Sequence, residues 1–176
     1  NLRCHALPGK WMTFFVLNTG GKALEWFHSV FCSELSPECF YNDYIPSVLE
    51  QFLSAPDINL LDEMIPVYTP YLQGSRYSTD MLTASFSGLN LQTNRGDMLL
   101  ALIKGNLQYL RDNLMEVGQL VKLGREISTT GGAARIRGFL DVKRRWIGDY
   151  DYTFQDQSSL KGAAILGQWH LIGSTP

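Results

Sequence analysis

The 176-residue chain has few cysteines, no excess of either charge and no long apolar run, and each shortage removes a class of explanation. Its three cysteines, Cys4, Cys32 and Cys39, are odd in number and show no C-x-x-C spacing, which favours reduced thiols over a disulfide framework. His28 precedes Cys32 by four residues, yet with Cys39 the set lacks a fourth ligand at finger-type spacing, so free thiols and no metal are expected. Fifteen basic side chains against seventeen acidic ones leave a formal charge of −2 and give no global case for nucleic acid or an anionic membrane surface. No apolar run approaches the roughly eighteen residues of a transmembrane helix, and no signal-peptide pattern is visible. A reducing, cytoplasmic setting is therefore expected. The chain begins Asn1-Leu2-Arg3 without an initiator Met, so a processed or excised piece of a longer protein is expected as well.

What is present suits one sizeable core: 45% of residues are hydrophobic and 12% aromatic, with no repeat, low-complexity tract or dividing linker. Turn residues Pro8-Gly9 between apolar runs predict a hairpin over 3–7 and 11–17. Thr19 is a candidate N-cap for a helix over 21–32, which places Ala23, Phe27, Val30 and Phe31 on one face. A second helix is predicted over 41–53, carrying Tyr44, Ile45, Val48, Leu49 and Phe52 inward, with Pro46 in its first turn. Residues 57–80 read as an irregular loop and 83–86 as a short strand. The longest periodic segment, 94–121, carries Leu99, Leu102 or Ile103, Leu107, Leu110, Leu114 and Val117 as a continuous apolar stripe. Gly96 and Gly105 weaken that helix, and close packing against a sheet is the expected compensation.

A polar and β-branched run over 126–130 reads as a strand ending at Gly131-Gly132, with a helix expected from about Ala134. A last helix follows Ser158-Ser159, and its Gly162-Ala163-Ala164 run suggests tight packing against a neighbour. Hairpin strands followed by alternating helices and strands indicate an α/β fold, a mixed sheet covered by helices. Glycines where a strand feeds a helix let backbone N–H groups and a ligand approach closely. The turn matches neither G-x-x-x-x-G-K-[ST] nor G-x-G-x-x-G, so taken alone it reads as a tight strand-to-helix turn that needs positive φ in preference to a nucleotide site.

Three stretches join it. The first is His5-Ala6-Leu7-Pro8-Gly9-Lys10-Trp11, followed by Asn18-Thr19-Gly20-Gly21-Lys22-Ala23-Leu24-Glu25-Trp26. The second is Pro70-Tyr71-Leu72-Gln73-Gly74-Ser75-Arg76, followed by Phe86-Ser87-Gly88-Leu89. The third is Thr130-Gly131-Gly132-Ala133-Ala134-Arg135, followed by Ser159-Leu160-Lys161-Gly162-Ala163-Ala164. In this order and spacing the chain resembles the C-terminal half of the FGGY carbohydrate kinases, the family of xylulokinase, gluconokinase and glycerol kinase, from His5 to Gly167.

The resemblance implies two ribonuclease-H-like (actin-like ATPase) domains with ATP and sugar in the cleft between them, and transfer of the γ-phosphoryl to a sugar hydroxyl. Residues 1–176 would be the C-terminal, nucleotide-side domain. The catalytic and sugar-binding domain would lie upstream, so no catalytic residue is expected here, and ATP with Mg2+ would be bound by the complete enzyme. By the same resemblance Gly131 and Gly132 match the family's Gly-rich turn at the adenosine part of ATP, and Ala133 to Ile136 continue it. Gly21 and Glu25 match the helix start that approaches nucleotide in the glycerol kinase branch. Gly74 and Arg76 match a Gly-Glu-Arg cleft loop in which Ser75 replaces the acid, and Arg76 either reaches the cleft or ties down its own loop.

Ile136 departs from the family's usual Asn or Ser and cannot hydrogen-bond a nucleotide. Ile136 and Ser75 keep open a second reading, a non-catalytic nucleotide-binding or regulatory protein with the actin-like half-fold. The remaining polar features read as structural. Lys143-Arg144-Arg145 with Arg135 and Arg137 are expected on a solvated face, His5, His28 and His170 carry no catalytic role, and Asp141, Asp149 and Asp151 are not expected to act as bases or metal ligands. The implied substrate is a pentulose such as xylulose or a related sugar, and family members often form dimers.

Overall fold

A computed structural model describes residues 2–172. The chain opens with an antiparallel hairpin, β1 (Leu2–Cys4) and β2 (Trp11–Thr13), paired from Leu2 with Thr13 to Cys4 with Trp11. The hairpin is where the Pro8-Gly9 turn predicts it, with Gly9 at φ +72°.

Helix α1 (Gly20–Phe31) then buries Ala23, Leu24 and Phe27. Thr19 precedes it without capping it: its carbonyl accepts from the Ala23 N–H at 2.7 Å, but its side chain makes no cap bond and its buried Oγ1 has no partner among the described residues. The segment predicted as one helix over 41–53 follows a short turn α2 (Pro37–Cys39) and is itself two pieces, a π-helical turn (Phe40–Tyr44) and α3 (Ile45–Leu53). Pro46 lacks an N–H and its ring would crowd the carbonyl four residues back, so a wider turn just ahead of it accommodates the chain.

Residues 57–69 are more ordered than the loop expected there. Asp57 caps α4 (Ile58–Met64) by accepting from the Leu60 N–H at 3.1 Å, and β3 (Val67–Thr69) pairs antiparallel with β4 (Ser85–Ser87). The long helix α5 (Arg95–Leu120) starts at a capping box, in which the Asn94 side chain accepts from the Gly96 and Asp97 N–H groups and the Asp97 carboxylate accepts from the Asn94 N–H. A Cβ at Gly105 would stand 2.4 Å from the Tyr68 carbonyl, so α5 lies directly on β3 there. Gly96 has another role, in the cap. The stripe on α5 is buried from Leu99 to Leu107 and not beyond: Leu110 is 37% exposed and Leu120 82%. The last turns of α5 run past the core, which explains why the periodicity continues while burial stops.

Strands β5 (Glu126–Thr129) and β6 (Asp151–Phe154) pair in parallel, Ile127 against Tyr152, joined across α6 (Phe139–Trp146). The expected helix start at Ala134 is a 3-10 turn (Gly132–Arg135), and α6 begins only after Gly138 at φ +82°. Gly138 lies close to α3, where an added Cβ would approach Leu49 to 3.3 Å. The final helix α7 (Ser158–Ile172) does not pack tightly: a Cβ at Gly162 or Gly167 would meet nothing within 4 Å. Among the described residues the strands form three separate two-stranded ladders instead of the single mixed sheet expected. At three or four residues each they leave the helices to build the core, where Phe27, Phe40, Ile45, Leu49, Phe52, Leu99, Leu102, Ile103 and Val142 are fully buried.

Candidate functional site

Two glycine-bearing starts that are distant in sequence meet across one cavity of about 800 Å³. One is the first turn of α1, where a Cβ at Gly20 or Gly21 would find open space. The other is the turn after β5. Gly131, at φ +93°, adopts a backbone that L-residues with side chains resist, and its carbonyl accepts from the Ala134 N–H at 3.3 Å. Gly132 opens the 3-10 turn with nothing within 4 Å of where a Cβ would stand.

Of the six residues that the motif resemblance assigns to nucleotide, five line this cavity: Gly21, Glu25, Gly132, Ala133 and Ile136. Gly131 does not; its positive φ shapes the turn that carries Gly132. Ile136 is 9% exposed and belongs to the main hydrophobic cluster, so a polar side chain there would be buried against the core, and the cavity gains an apolar wall instead. Leu24 and Pro46 extend that wall.

The structure adds residues that the sequence did not single out. Tyr41, Asn42 and Asp43, on the π-helical turn, also line the cavity. The available signal was a polar Asn-Asp pair between aromatics just ahead of a helix proline. Burial, and after it the Glu25 charge, pushes the Tyr41 phenol above its ordinary value, so Glu25 and Tyr41 share one electrostatic environment. Arg135 and Arg137 reach the rim and are tied to acids there, Arg135 to Asp156 and Arg137 to Glu50 at 3.3 Å.

Gly74 and Arg76 are not brought into the cavity. Gly74 turns at φ +64°, and the Asn18 amide donates to the Gln73 and Gly74 carbonyls at 3.0 and 3.2 Å, which ties this loop to the segment leading into α1. Arg76 is exposed and makes no ion pair among the described residues. Two members of the basic cluster also depart from the expected solvated face. Burial pushes the Lys143 amine below its ordinary value, and Arg145 pairs with Asp62 on α4 at 3.1 Å. Among the described residues no three His, Cys, Asp or Glu side chains stand together as a metal-holding group, and no helix is long and apolar enough to cross a membrane.

By sequence, no protein-family model and no curated protein matches the chain. By structure it is similar to a xylulose kinase from Brucella ovis, with a TM-score of 0.75 and 24% identity over 98% of this chain and 34% of that one. It is also similar to a xylulose kinase from Rhodospirillum rubrum, with a TM-score of 0.73 and 18% identity over 96% of this chain and 33% of that one. A glycerol kinase from Plasmodium falciparum, solved with ADP, matches with a TM-score of 0.62 and 16% identity over 84% of this chain and 28% of that one. The chain therefore shares the fold of part of these kinases and spans roughly a third of their length. They are FGGY-type carbohydrate kinases, the proteins its motifs resemble.

Proposed function

We propose that the chain is the C-terminal, nucleotide-side domain of an FGGY-type carbohydrate kinase with a ribonuclease-H-like core, and that its cavity receives the adenosine part of ATP. The observation that carries this reading is the meeting of Gly21 and Glu25 with Gly132, Ala133 and Ile136 around one cavity, although the two groups lie on α1 and after β5. A cavity of this size suits a nucleoside, since small-molecule sites commonly run from about 300 to 1,000 Å³. The bare backbone at Gly21 and Gly132 allows close approach of a planar ligand, while Leu24, Pro46 and Ile136 supply apolar surface for a base.

In this reading the complete protein transfers the γ-phosphoryl of ATP to a sugar hydroxyl, with a pentulose such as xylulose as the first candidate. Phosphoryl transfer depends on positioning and electrostatic stabilisation, and this chain positions one end of the nucleotide. Mg2+ would accompany ATP, and the described residues of this chain offer no dedicated group for it. The chain alone is expected to bind nucleotide weakly and to transfer no phosphoryl; turnover with ATP and a pentulose would contradict this.

Calorimetric titration with ATP of the native chain and a Gly132→Trp variant tests the cavity. Gly132 has an ordinary φ and open space around its Cβ position, so the indole fits the fold and occupies the cavity. Binding is expected to be lost in the variant while its melting temperature is kept. Equal affinity in both would remove the adenosine assignment.

A further inference from the structure

A second cavity, of about 190 Å³, lies among α1, α5 and α6 and shares only Gly21, Leu24 and Ala133 with the first. Leu102, Ile103 and Leu107 on α5 and Phe139 on α6 give it an apolar wall. Asn106 stands one turn after Leu102, and Lys143 one turn after Phe139, so the spacing that lines the cavity also sets one amide and one amine on it. Lys143 is the sole charged residue around it, and it makes no ion pair or side-chain hydrogen bond among the described residues; its ammonium lies 5.9 Å from the centre of the Phe139 ring. Burial pushes this amine below its ordinary value with no neighbouring acid to offset the push. An unpaired buried ammonium is costly, and an anion beside it offsets that cost.

The buried Oδ1 of Asn106 also has no partner among the described residues. Nothing fixes the amide in that sense, and a half-turn about its terminal torsion presents N–H donors instead. The start of α1 adds to the same side. Gly20 and Gly21 line the cavity with open space where a Cβ would stand, and the Gly21 and Lys22 N–H groups have no acceptor among the described residues. The positive end of a twelve-residue helix therefore favours negative charge there. An amine, an amide and a helix start with no acid among them favour an anion, while the apolar wall disfavours one that is hydrated all round. Size sets the rest. A cavity of about 150 Å³ lined by Leu, Ile and Phe holds benzene, so this one takes a single ring or a short branched chain, and it is well below the roughly 300 Å³ at which sites for larger ligands begin.

We propose that this second cavity binds a small apolar carboxylate, whose hydrocarbon part fills the space between α5 and α6 while its carboxylate meets Lys143, Asn106 and the start of α1. The inference goes beyond the nucleotide reading and does not depend on it.

The test is calorimetry on the 176-residue chain with benzoate, benzyl alcohol and inorganic phosphate, with methyl NMR spectra to locate the ligand. Benzoate is expected to saturate and to shift the methyl resonances of Leu102, Ile103 and Leu107. Benzyl alcohol, the same ring without the charge, is expected to bind about tenfold more weakly, the loss of a hydrogen bond between charged groups. Phosphate, the charge without the ring, should not displace benzoate. Lys143→Met keeps an unbranched apolar side chain and should abolish the preference for benzoate over benzyl alcohol at an unchanged melting temperature. Gly132→Trp fills the nucleotide cavity and touches no residue around the second one, so it should bind benzoate as the native chain does. No saturation by roughly 10 mM benzoate, equal affinity for benzyl alcohol, displacement by phosphate, or methyl shifts centred elsewhere would each overturn the proposal, and these four need no variant to fold. An undiminished preference in folded Lys143→Met would overturn it as well. Loss of benzoate binding in folded Gly132→Trp would place the ligand in the nucleotide cavity and overturn it too, whereas failure of the nucleotide reading appears separately, as unchanged ATP affinity in that variant.

Discussion

At Asp62 a single half-buried carboxylate gathers partners from two other helices: Lys104 on α5 at 2.9 Å, and on α6 Arg145 at 3.1 Å and the Trp146 indole N–H at 2.9 Å. Burial alone pushes this carboxyl up, but the hydrogen bonds from Lys104 and Trp146, with the charges of Lys104 and Arg145, outweigh it and hold the group below its ordinary value of 3.8. A folded-state value below the unfolded one means that the stabilisation is fully present above pH 3.8 and is lost as pH falls through the lower, folded value. Asp62→Asn strands two cations and is expected to cost about 2–3 kcal/mol at neutral pH. It should also flatten the fall in stability on the acid side. Urea unfolding across pH 2–7 checks both, and parallel acid limbs for the two proteins would contradict the assignment. None of this network was legible in the sequence, because Asp62 lies in a segment read as irregular and Arg145 in a basic run read as solvated. Lys-Arg-Arg on a helix looks the same whether its partner is water or a carboxylate some eighty positions away. Asp57, by contrast, is a cap residue directly before an apolar run, and Pro66 and Pro70 obscured that signal for α4.

Among the elements, α1 and α5 were the most legible, since each repeats apolar residues at helical spacing long enough to outweigh local exceptions such as Gly105. Periodicity reports which face is apolar and not how far the core extends along it, which is why Leu110 and Val117 were overread. The same point gives a gradient along α5. Leu107→Ala, at 4% exposure, is expected to cost about 2–4 kcal/mol, whereas Leu114→Ala, half-buried in the overhanging part, should cost under about 1 kcal/mol. Chemical denaturation of both variants reads the difference, and equal losses would mean that the far end of α5 is covered in solution. The π-helical turn was illegible for another reason. A Pro inside a helical pattern signals a disturbance without saying whether the chain kinks, stops or widens, and here the widening sets Tyr41, Asn42 and Asp43 on the cavity.

For the whole molecule, resemblance in motif and likeness in fold point to the same kinases, while composition alone pointed only to an α/β domain with a core. Five of the six residues matched to nucleotide meet in space, and the sixth, Gly131, supports the turn that two of them occupy. The loop at Gly74 and Arg76 stays apart from the cavity, held by Asn18. The central claim, that the space between the start of α1 and the Gly131-Gly132 turn receives the nucleoside end of ATP, is tested most directly by following backbone amide resonances of the isotope-labelled chain during titration with adenosine and ATP. Saturable shifts are expected at Gly21, Glu25, Gly132, Ala133 and the Tyr41–Asp43 turn, with Gly74 and Arg76 unmoved. Saturable shifts centred elsewhere, with these amides unchanged, would contradict it.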